Sequence, residues 1–502
     1  MAKLTYRNYI LLPKSGIRFP DDQIVSQTEQ VFAKLTTSAR LADVLAEPPT
    51  DQAVILDTIG RQGAKLIRLP ENELPNLRAQ MPGLRIVPEV FFFPQRYRVE
   101  IKQKPQPTAA QVTTSIRIML KDAKTGKPVG GATVVAFTDF DGRAGEQATS
   151  DAKGVVRLRN VGNRLLDQLY VYPKVGYWSF WKQKITLKNN DVLNIQPVSL
   201  TYPDAKNFFY PPAPAGQPAG NGVKVGVIDT GAGPHPDLTI SGGGSTVTGD
   251  NPSDFNDVDE HGTHVSGIIA ARGAPPTGVR GAAPDVKLYV YRVFARNSQG
   301  ASNFAIIKAI EQAVADGCDL INMSLGGGPA DDATKEAISF AHENGTLCFV
   351  ATGNDGRQSV SFPASFSLSL AVGAMGRKGT FPANTTDAPN VAAPYGKDKK
   401  NFVAGFSNIG PEVDFIAPGV GIISSVPGGY APLSGTSMAC PMATGVAARL
   451  LSGEPTILNM PRNTARAEAM VRFLATKVKS LGFGPTFEGT GMLFVDTQSP
   501  IT

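Results

Sequence analysis

Three short stretches in the second half of this 502-residue chain most constrain its fold: VGVIDTGAGPHPDL, DEHGTHVSG and SGTSMACPMATG. Each carries one polar group where an apolar or turn segment meets a run of small residues. In VGVIDTG an apolar strand ends in Asp229 followed by Thr-Gly, and strand ends of this kind are where parallel α/β sheets place their reactive groups. In HGTHV, His261 opens the small-residue, apolar run Val265 to Ala271, so its ring can face a cleft while the helix behind it packs into a core. In GTSMACP, Ser437 follows Gly435 and starts the Ala-rich run Met438 to Leu451, and backbone amides at the start of a buried helix favour developing negative charge.

Taken singly, each fragment has an ordinary reading: an Asp after a strand caps a turn, and Gly-Thr-Ser before a helix is an N-cap. Taken together, in the order Asp, His, Ser, they form an orienting acid, a base and a nucleophile, and that chain order is the one found in subtilisin. From Val223 to about Asp496 the chain resembles the subtilisin-like serine peptidases. AIIKAIEQAVADGCDLINMSLGG reads as an amphipathic helix, a buried strand and a Ser324-Leu325-Gly326 turn, and FVATGNDG ends the next strand at Gly353-Asn354. The resemblance implies an α/β fold, a subtilisin-like parallel seven-stranded sheet flanked by helices. It also implies a serine endopeptidase of broad specificity that acts on polypeptides through an acyl-enzyme.

By the same resemblance Asp229, His261 and Ser437 are the catalytic trio, and Asn354 supplies the side-chain oxyanion donor beside the Ser437 N–H. Ser324-Leu325-Gly326 and a segment near Gly300-Ala301-Ser302 would flank an extended substrate and pair with its backbone. Gly326 and Gly353 would line the S1 pocket, with Ser361 near its base. His264, on the helix after His261, reads as structural. Asp257, Asp259, Glu260 and Asp355 cluster around the cleft, and Glu260 departs from the Gly that family sequences usually carry before the catalytic His. A mild preference for Lys or Arg at P1 or P2 is expected from Coulomb attraction at the rim, with solvated loop acids or a cation site as the other readings.

Two further units precede the peptidase. Residues 1–97 order apolar strands and helices as β-α-β-β-α-β, a split βαβ arrangement: NYILLP, a helix from Asp22 to about Leu45, AVILDTIG, AKLIRLP, the short helix ENELPNLRAQM, and LRIVPEVFFF. This order is similar to the inhibitor-like propeptides of subtilisins, so the unit is expected to act on the peptidase in cis and to make the chain a zymogen. Residues 110–200 hold short strands separated by turn residues, and KDAKTGKPVGGATVVAF resembles the small β-sandwich found beside carboxypeptidases. Its aromatic group Tyr177, Trp178, Phe180 and Trp181 reads as core and edge packing or as a binding platform. Residues 201–222 form a Pro/Gly-rich linker, with Tyr210 to Gly222 read as exposed and open to processing, and residues 223–502 form the peptidase. The alternative to an active zymogen is a latent or non-catalytic binding protein whose N-terminal units never leave.

Composition narrows the setting. No stretch approaches 18 apolar residues, so no membrane partner is expected, and the start MAKLTYRNYILLPKSGIRFP lacks the apolar core of a secretory signal. The expectation is a cytoplasmic protein, or a secreted one if a leader has been removed. Three cysteines, Cys318, Cys348 and Cys440, are an odd count without metal spacing. Residues 1–200 carry 28 Lys and Arg against 18 Asp and Glu, whereas residues 201–502 carry 21 against 25. Opposite signs suit docking between the halves, and without a basic run no nucleic acid is expected. No cofactor is required. Many relatives bind calcium in the loop after the catalytic-His helix, but here that loop reads ARGAPPTGVRG with no Asn or Asp, so the strong site is expected to be missing. A weaker one near Asp250, Asp254 and Asp257 stays open.

Overall fold

A computed structural model describes residues 5–13, 36–37, 54–60, 63–80, 84–104, 115–162, 164–213, 217 and 219–495. The peptidase region is α/β, built on seven parallel strands whose apolar runs suit burial on both faces. Across the sheet they run Ile240–Ser245, Lys287–Arg292, Lys224–Asp229, Leu320–Met323, Leu347–Ala351, Ser369–Arg377 and Val413–Pro418. Asn401–Ala404 and Val391–Tyr395 extend it antiparallel, giving nine strands among the described residues. Alternation along Lys224–Asp229 sends Val225 and Val227 to the core shared with helices His261–Ala270 and Thr436–Leu451. Ile228 goes to the opposite core, with helices Asn303–Ala315 and Asp332–Glu343.

In the N-terminal unit β1 (Tyr6–Pro13), β2 (Thr36–Thr37), β3 (Val54–Thr58), β4 (Lys65–Pro70) and β5 (Leu84–Pro88) form one sheet in the order β2-β3-β4-β1-β5. Its two faces separate by period-two alternation. Tyr9, Leu11, Ile67 and Leu69 pack with Leu77 of helix Leu74–Gln80. Ile10, Leu12 and Leu66 instead join the peptidase core beside helices Asn303–Ala315 and Asp332–Glu343. Lys308 Nζ to Asp57 Oδ2 at 2.9 Å and an Arg85–Glu336 pair tie the edges of this interface.

Two sequence expectations change here. Most of the expected helix Asp22–Leu45 lies outside the described residues, but Thr36 and Thr37 within it form β2, parallel to β3. Two β-branched residues in a row suit a pleated strand better than a helix. LRIVPEVFFF is two strands, not one. The chain turns at Glu89–Val90 and leaves the sheet as β6 (Phe91–Pro94), because Asn303 of the peptidase captures that turn. Val90 N–H donates to Asn303 Oδ1 at 3.1 Å and Asn303 N–H to Val90 O at 2.9 Å. A partner so distant in sequence leaves no trace in the local pattern.

Residues 116–195 form a sandwich of a three-stranded and a four-stranded sheet, including strands Ala144–Thr149 and Phe180–Thr186. Leu120, Val134, Ala136, Val156 and Leu169 are among its core residues. Trp178 is not part of that core. It is buried in the peptidase core, edge-on to Tyr202 at 5.1 Å, and the strand after it is held by Trp181 N–H to Asn384 O at 2.8 Å. The sandwich is thus plugged into the peptidase by an aromatic side chain.

The exposed linker expected at Tyr210 to Gly222 is corrected at Tyr210 and at Ala219–Gly220, which are buried, while Pro212, Gln217, Asn221 and Gly222 are exposed as expected. Asp204 caps a helix, Ala205–Phe209, whose Ala205 and Phe209 are buried against the peptidase. Tyr210 is buried and its hydroxyl donates to Leu493 O at 2.7 Å, while Gly220 N–H donates to Ser452 Oγ at 3.1 Å. Apolar side chains in AKNFFY outweigh the Pro/Gly signal beside them. Among the described residues no helix is long and apolar enough to cross a membrane.

Candidate active site

Asp229 ends its parallel strand fully buried, and its Oδ1 lies 2.7 Å from His261 Nδ1. His261 is the first residue of its helix, which fixes the ring over the strand end. His261 Nε2 is buried and has no hydrogen-bond partner. Ser437 is the second residue of helix Thr436–Leu451, where its N–H is one of the amides without an intrahelical acceptor. Its hydroxyl donates to Ser324 O at 2.9 Å, not to His261. Asn354 comes shortly after the buried strand Leu347–Ala351. Its Oδ1 accepts from Thr436 N–H at 2.9 Å and Thr436 Oγ1 at 3.1 Å, which leaves Nδ2 buried and without a partner. A neutral donor is therefore left unused beside the turn that carries Ser437.

The cleft is filled by the chain itself. β6 lies between Ala301–Ser302 and Leu325–Gly326 and pairs antiparallel with both, Phe92 opposite Ala301 and Phe93 opposite Gly326. Gln95 N–H donates to Ser324 O, and Ser437 N–H donates to Gln95 O, each at 3.0 Å. The Gln95 carbonyl thus rests on the Ser437 amide, with the Gln95–Arg96 bond at Ser437. A side chain at Gly435 would put Cβ within 2.4 Å of Gln95 O, and φ there is +151°, so this turn admits the strand only as glycine.

The Subtilase family profile matches residues 220–484, rather more than half of the chain. The chain belongs to the subtilase family. It is 39% identical to Subtilisin DY of Bacillus licheniformis over 245 residues, 47% of this chain and 80% of that one. It is 40% identical to Subtilisin BL of Lederbergia lenta over 253 residues, 49% and 84%. It is also 39% identical to a thermostable alkaline protease of Halalkalibacterium halodurans over 241 residues, 48% of this chain and 60% of the relative. It is a serine endopeptidase.

In this subtilase Gly326 and Gly353 both face Ser361 Oγ, which a Cβ on either would approach to 3.2 and 2.7 Å, and the buried Gln95 side chain lies against Gly326 and Gly327. Gly300 lies beside Phe91 and Phe93. Sequence reasoning missed Asn322 and Thr230, and it missed that Ser324 and Asp257 brace the site. Asn322 Nδ2 donates to Ser324 Oγ, which donates to Ser437 O, both at 3.0 Å. Thr230 Oγ1 accepts from Gly262 N–H and donates to Asp257 Oδ1, both at 2.8 Å. Asp257 accepts from Thr263 N–H as well, so it braces the first turn of the His261 helix, and burial raises its carboxyl above the usual range. The strand-to-polar junctions in INMSLGG and VIDTG were the available signal, but the partners lie far apart in sequence.

The acidic cluster separates into distinct roles. Asp355 is held by Asn408 Nδ2 at 2.9 Å. Only Asp259 and Glu260 meet the threaded chain, and they meet Arg96, after the Gln95–Arg96 bond, rather than a residue at P1 or P2. Burial raises the Glu260 carboxyl, opposed by Arg96. Burial penalises Asp259 as well, but the Arg96 guanidinium beside it and a hydrogen bond from the Glu260 N–H hold its carboxyl below the usual range. His264 is buried with Nε2 donating to Ile422 O and Ala431 O at 3.0 Å, and burial lowers it to about 3. It is neutral and structural.

The loop after the His261 helix closes on protein groups. Lys206 Nζ donates to Arg280 O at 2.7 Å, and Val279 N–H donates to Asp237 Oδ2 at 2.8 Å. Asp250 and Asp254 both pair with Arg292, at 3.0 and 3.1 Å. Among the described residues no group of three or more His, Cys, Asp or Glu side chains is placed to hold a metal ion. Cys318, Cys348 and Cys440 are free and buried, and burial pushes the thiols of Cys318 and Cys348 up to about 12.

Proposed function

We propose that the chain is made as a zymogen that cuts its own Gln95–Arg96 bond and then acts as an endopeptidase of broad specificity. His261 takes the Ser437 hydroxyl proton as Oγ attacks the Gln95 carbonyl carbon, and returns it to the Arg96 nitrogen as that bond breaks. Water then opens the Gln95 ester with the same base. Asp229 holds the imidazole tautomer, and the Ser437 N–H and Asn354 Nδ2 receive the oxyanion. Before attack the Ser437 hydroxyl has to turn from Ser324 O to His261 Nε2. The observation that carries this reading is the 3.0 Å contact of Ser437 N–H with Gln95 O, preceded by a strand paired on both sides.

Cleavage there frees residues 1–95 as an inhibitor-like unit in cis, while the buried Trp178 supports retention of the sandwich by the peptidase. Processing in the Tyr210–Gly222 segment fits less well, since both of its ends are anchored. A mild preference for basic substrate residues belongs to the same reading, given the acids at the cleft.

A second reading, a latent binding protein, is favoured by the filled cleft and by the Ser437 hydroxyl facing Ser324 O. N-terminal sequencing and labelling with a fluorophosphonate decide between them. A zymogen yields a species beginning at Arg96, labelled once residues 1–95 are released, and Ser437→Ala stays uncut and unlabelled. A latent protein shows no cut and no label under any condition.

A further inference from the structure

Arg96 is the first residue past the bond that lies at Ser437. Its guanidinium grips Asp259 with both terminal nitrogens, Nη1 to Oδ1 at 2.7 Å and Nη2 to Oδ2 at 3.3 Å, and reaches Glu260 Oε1 with Nη1 at 3.5 Å. Among the described residues no other side chain donates a hydrogen bond to either carboxylate. Both acids are partly enclosed, with side-chain exposures of 37% and 25%, against 26% for Arg96. Asp257 fixes their backbone, since it accepts from Asp259 N–H at 3.0 Å and also from the first turn of the His261 helix. The pair is therefore built into the turn that positions the base, and it does not lie on a loose loop. The next basic residue, Arg98, rests its guanidinium 4.6 Å from the Tyr172 ring and acts on Glu260 through space, without a hydrogen bond to either acid.

We propose that Asp259 and Glu260 form an S1′ receptor for a cation, which sets self-cleavage at Gln95–Arg96 and gives the released enzyme a preference for Arg or Lys immediately after the scissile bond. This inference rests on the endopeptidase reading above. After the cut Arg96 is the free first residue of the retained chain; once its side chain swings out of the pair, the two adjacent half-buried carboxylates lose their hydrogen-bonded cation, and a substrate guanidinium or ammonium takes its place. A planar guanidinium matches the two-oxygen grip better than an ammonium, so Arg ranks above Lys. Pro94, at P2, has no group to offer either acid.

The test uses the self-processed enzyme and quenched-fluorescence peptides that differ only at P1′ (Arg, Lys, Ala, Glu), with a second set that varies P2 in the same way. The expected kcat/KM for Arg over Ala at P1′ is roughly five- to tenfold at low salt, with Glu below Ala and the spread shrinking as salt screens the pair. Asp259→Asn with Glu260→Gln brings Arg and Ala level, and Asp259→Lys favours Glu. Because each ratio is taken within one variant, a general loss of turnover beside His261 cancels. In the full chain, Arg96→Glu slows self-cleavage and adding Asp259→Lys recovers it. Equal turnover of Arg and Ala at P1′, or a basic preference at P2 alone, overturns the proposal. An enzyme that cuts no peptide and leaves Gln95–Arg96 intact instead overturns the endopeptidase reading on which it rests.

Discussion

β6 offers a sharp test of how the N-terminal unit is held in the cleft, because its three phenylalanines share one backbone ladder but not one environment. Phe92 is 0% exposed, whereas Phe91 and Phe93 are 46% and 44% exposed. The Phe92 ring sits in a pocket of the peptidase, its centroid 5.8 Å from that of Phe362, with its edge over the Cα of Gly328. Part of that pocket wall is backbone, so it collapses little when the ring is removed. Phe→Ala at such a site costs about 3–5 kcal/mol. In the free unit this ring returns to water, so the loss falls on the complex and weakens inhibition by roughly 10²- to 10³-fold or more. Phe93→Ala leaves the strand pairing intact and removes a half-exposed ring, worth about twofold.

The assay lets each variant cut itself and then follows peptide turnover as the two-piece complex is diluted. The concentration at which half the activity is inhibited moves up by two to three decades for Phe92→Ala and hardly moves for Phe93→Ala. Equal shifts in the two variants, or none in Phe92→Ala, would refute the argument that side-chain burial, rather than backbone pairing, holds the unit in place.

Three further outcomes are expected. Asn354→Ala lowers kcat by about 10²- to 10³-fold with little change in KM, the range typical of a lone oxyanion donor in subtilisins, as steady-state kinetics will report. Lys206→Met removes the buried ammonium that faces Asp204 and Asp237 and lowers stability by roughly 3–5 kcal/mol in denaturant unfolding, and adding Asp204→Asn recovers part of it. Burial raises the Asp414 carboxyl from 3.8 to about 6. The folded state therefore holds that proton more tightly, and stability falls as pH rises through this window, with a loss of roughly 2–3 kcal/mol complete above it. Asp414→Asn keeps an acceptor for Ala371 N–H and should raise the melting temperature at about pH 8 but not at about pH 3.5, on either side of that window.

The α/β class and the family were legible because they rest on local signals: apolar strands ending in Asp229 or before Asn354, and small-residue helices starting at His261 and Ser437. Each signal is written within a few neighbouring residues, and their chain order did the rest. The break of LRIVPEVFFF at Glu89–Val90 was not legible, since its cause is Asn303, more than 200 residues away. The burial of Trp178 outside its own sandwich was hidden for the same reason, as was the anchoring of Tyr210.

The acidic residues before His261 mark the division most plainly. Sequence alone determined that a cluster of negative charge borders His261, because charge is a property of composition. Only the tertiary structure decided what each acid does: Asp257 braces a helix, Asp355 is taken by Asn408, and Asp259 and Glu260 close on Arg96. A carboxylate's role is set by which donor lies within about 3 Å of it, and that donor is chosen by the packing of the whole chain.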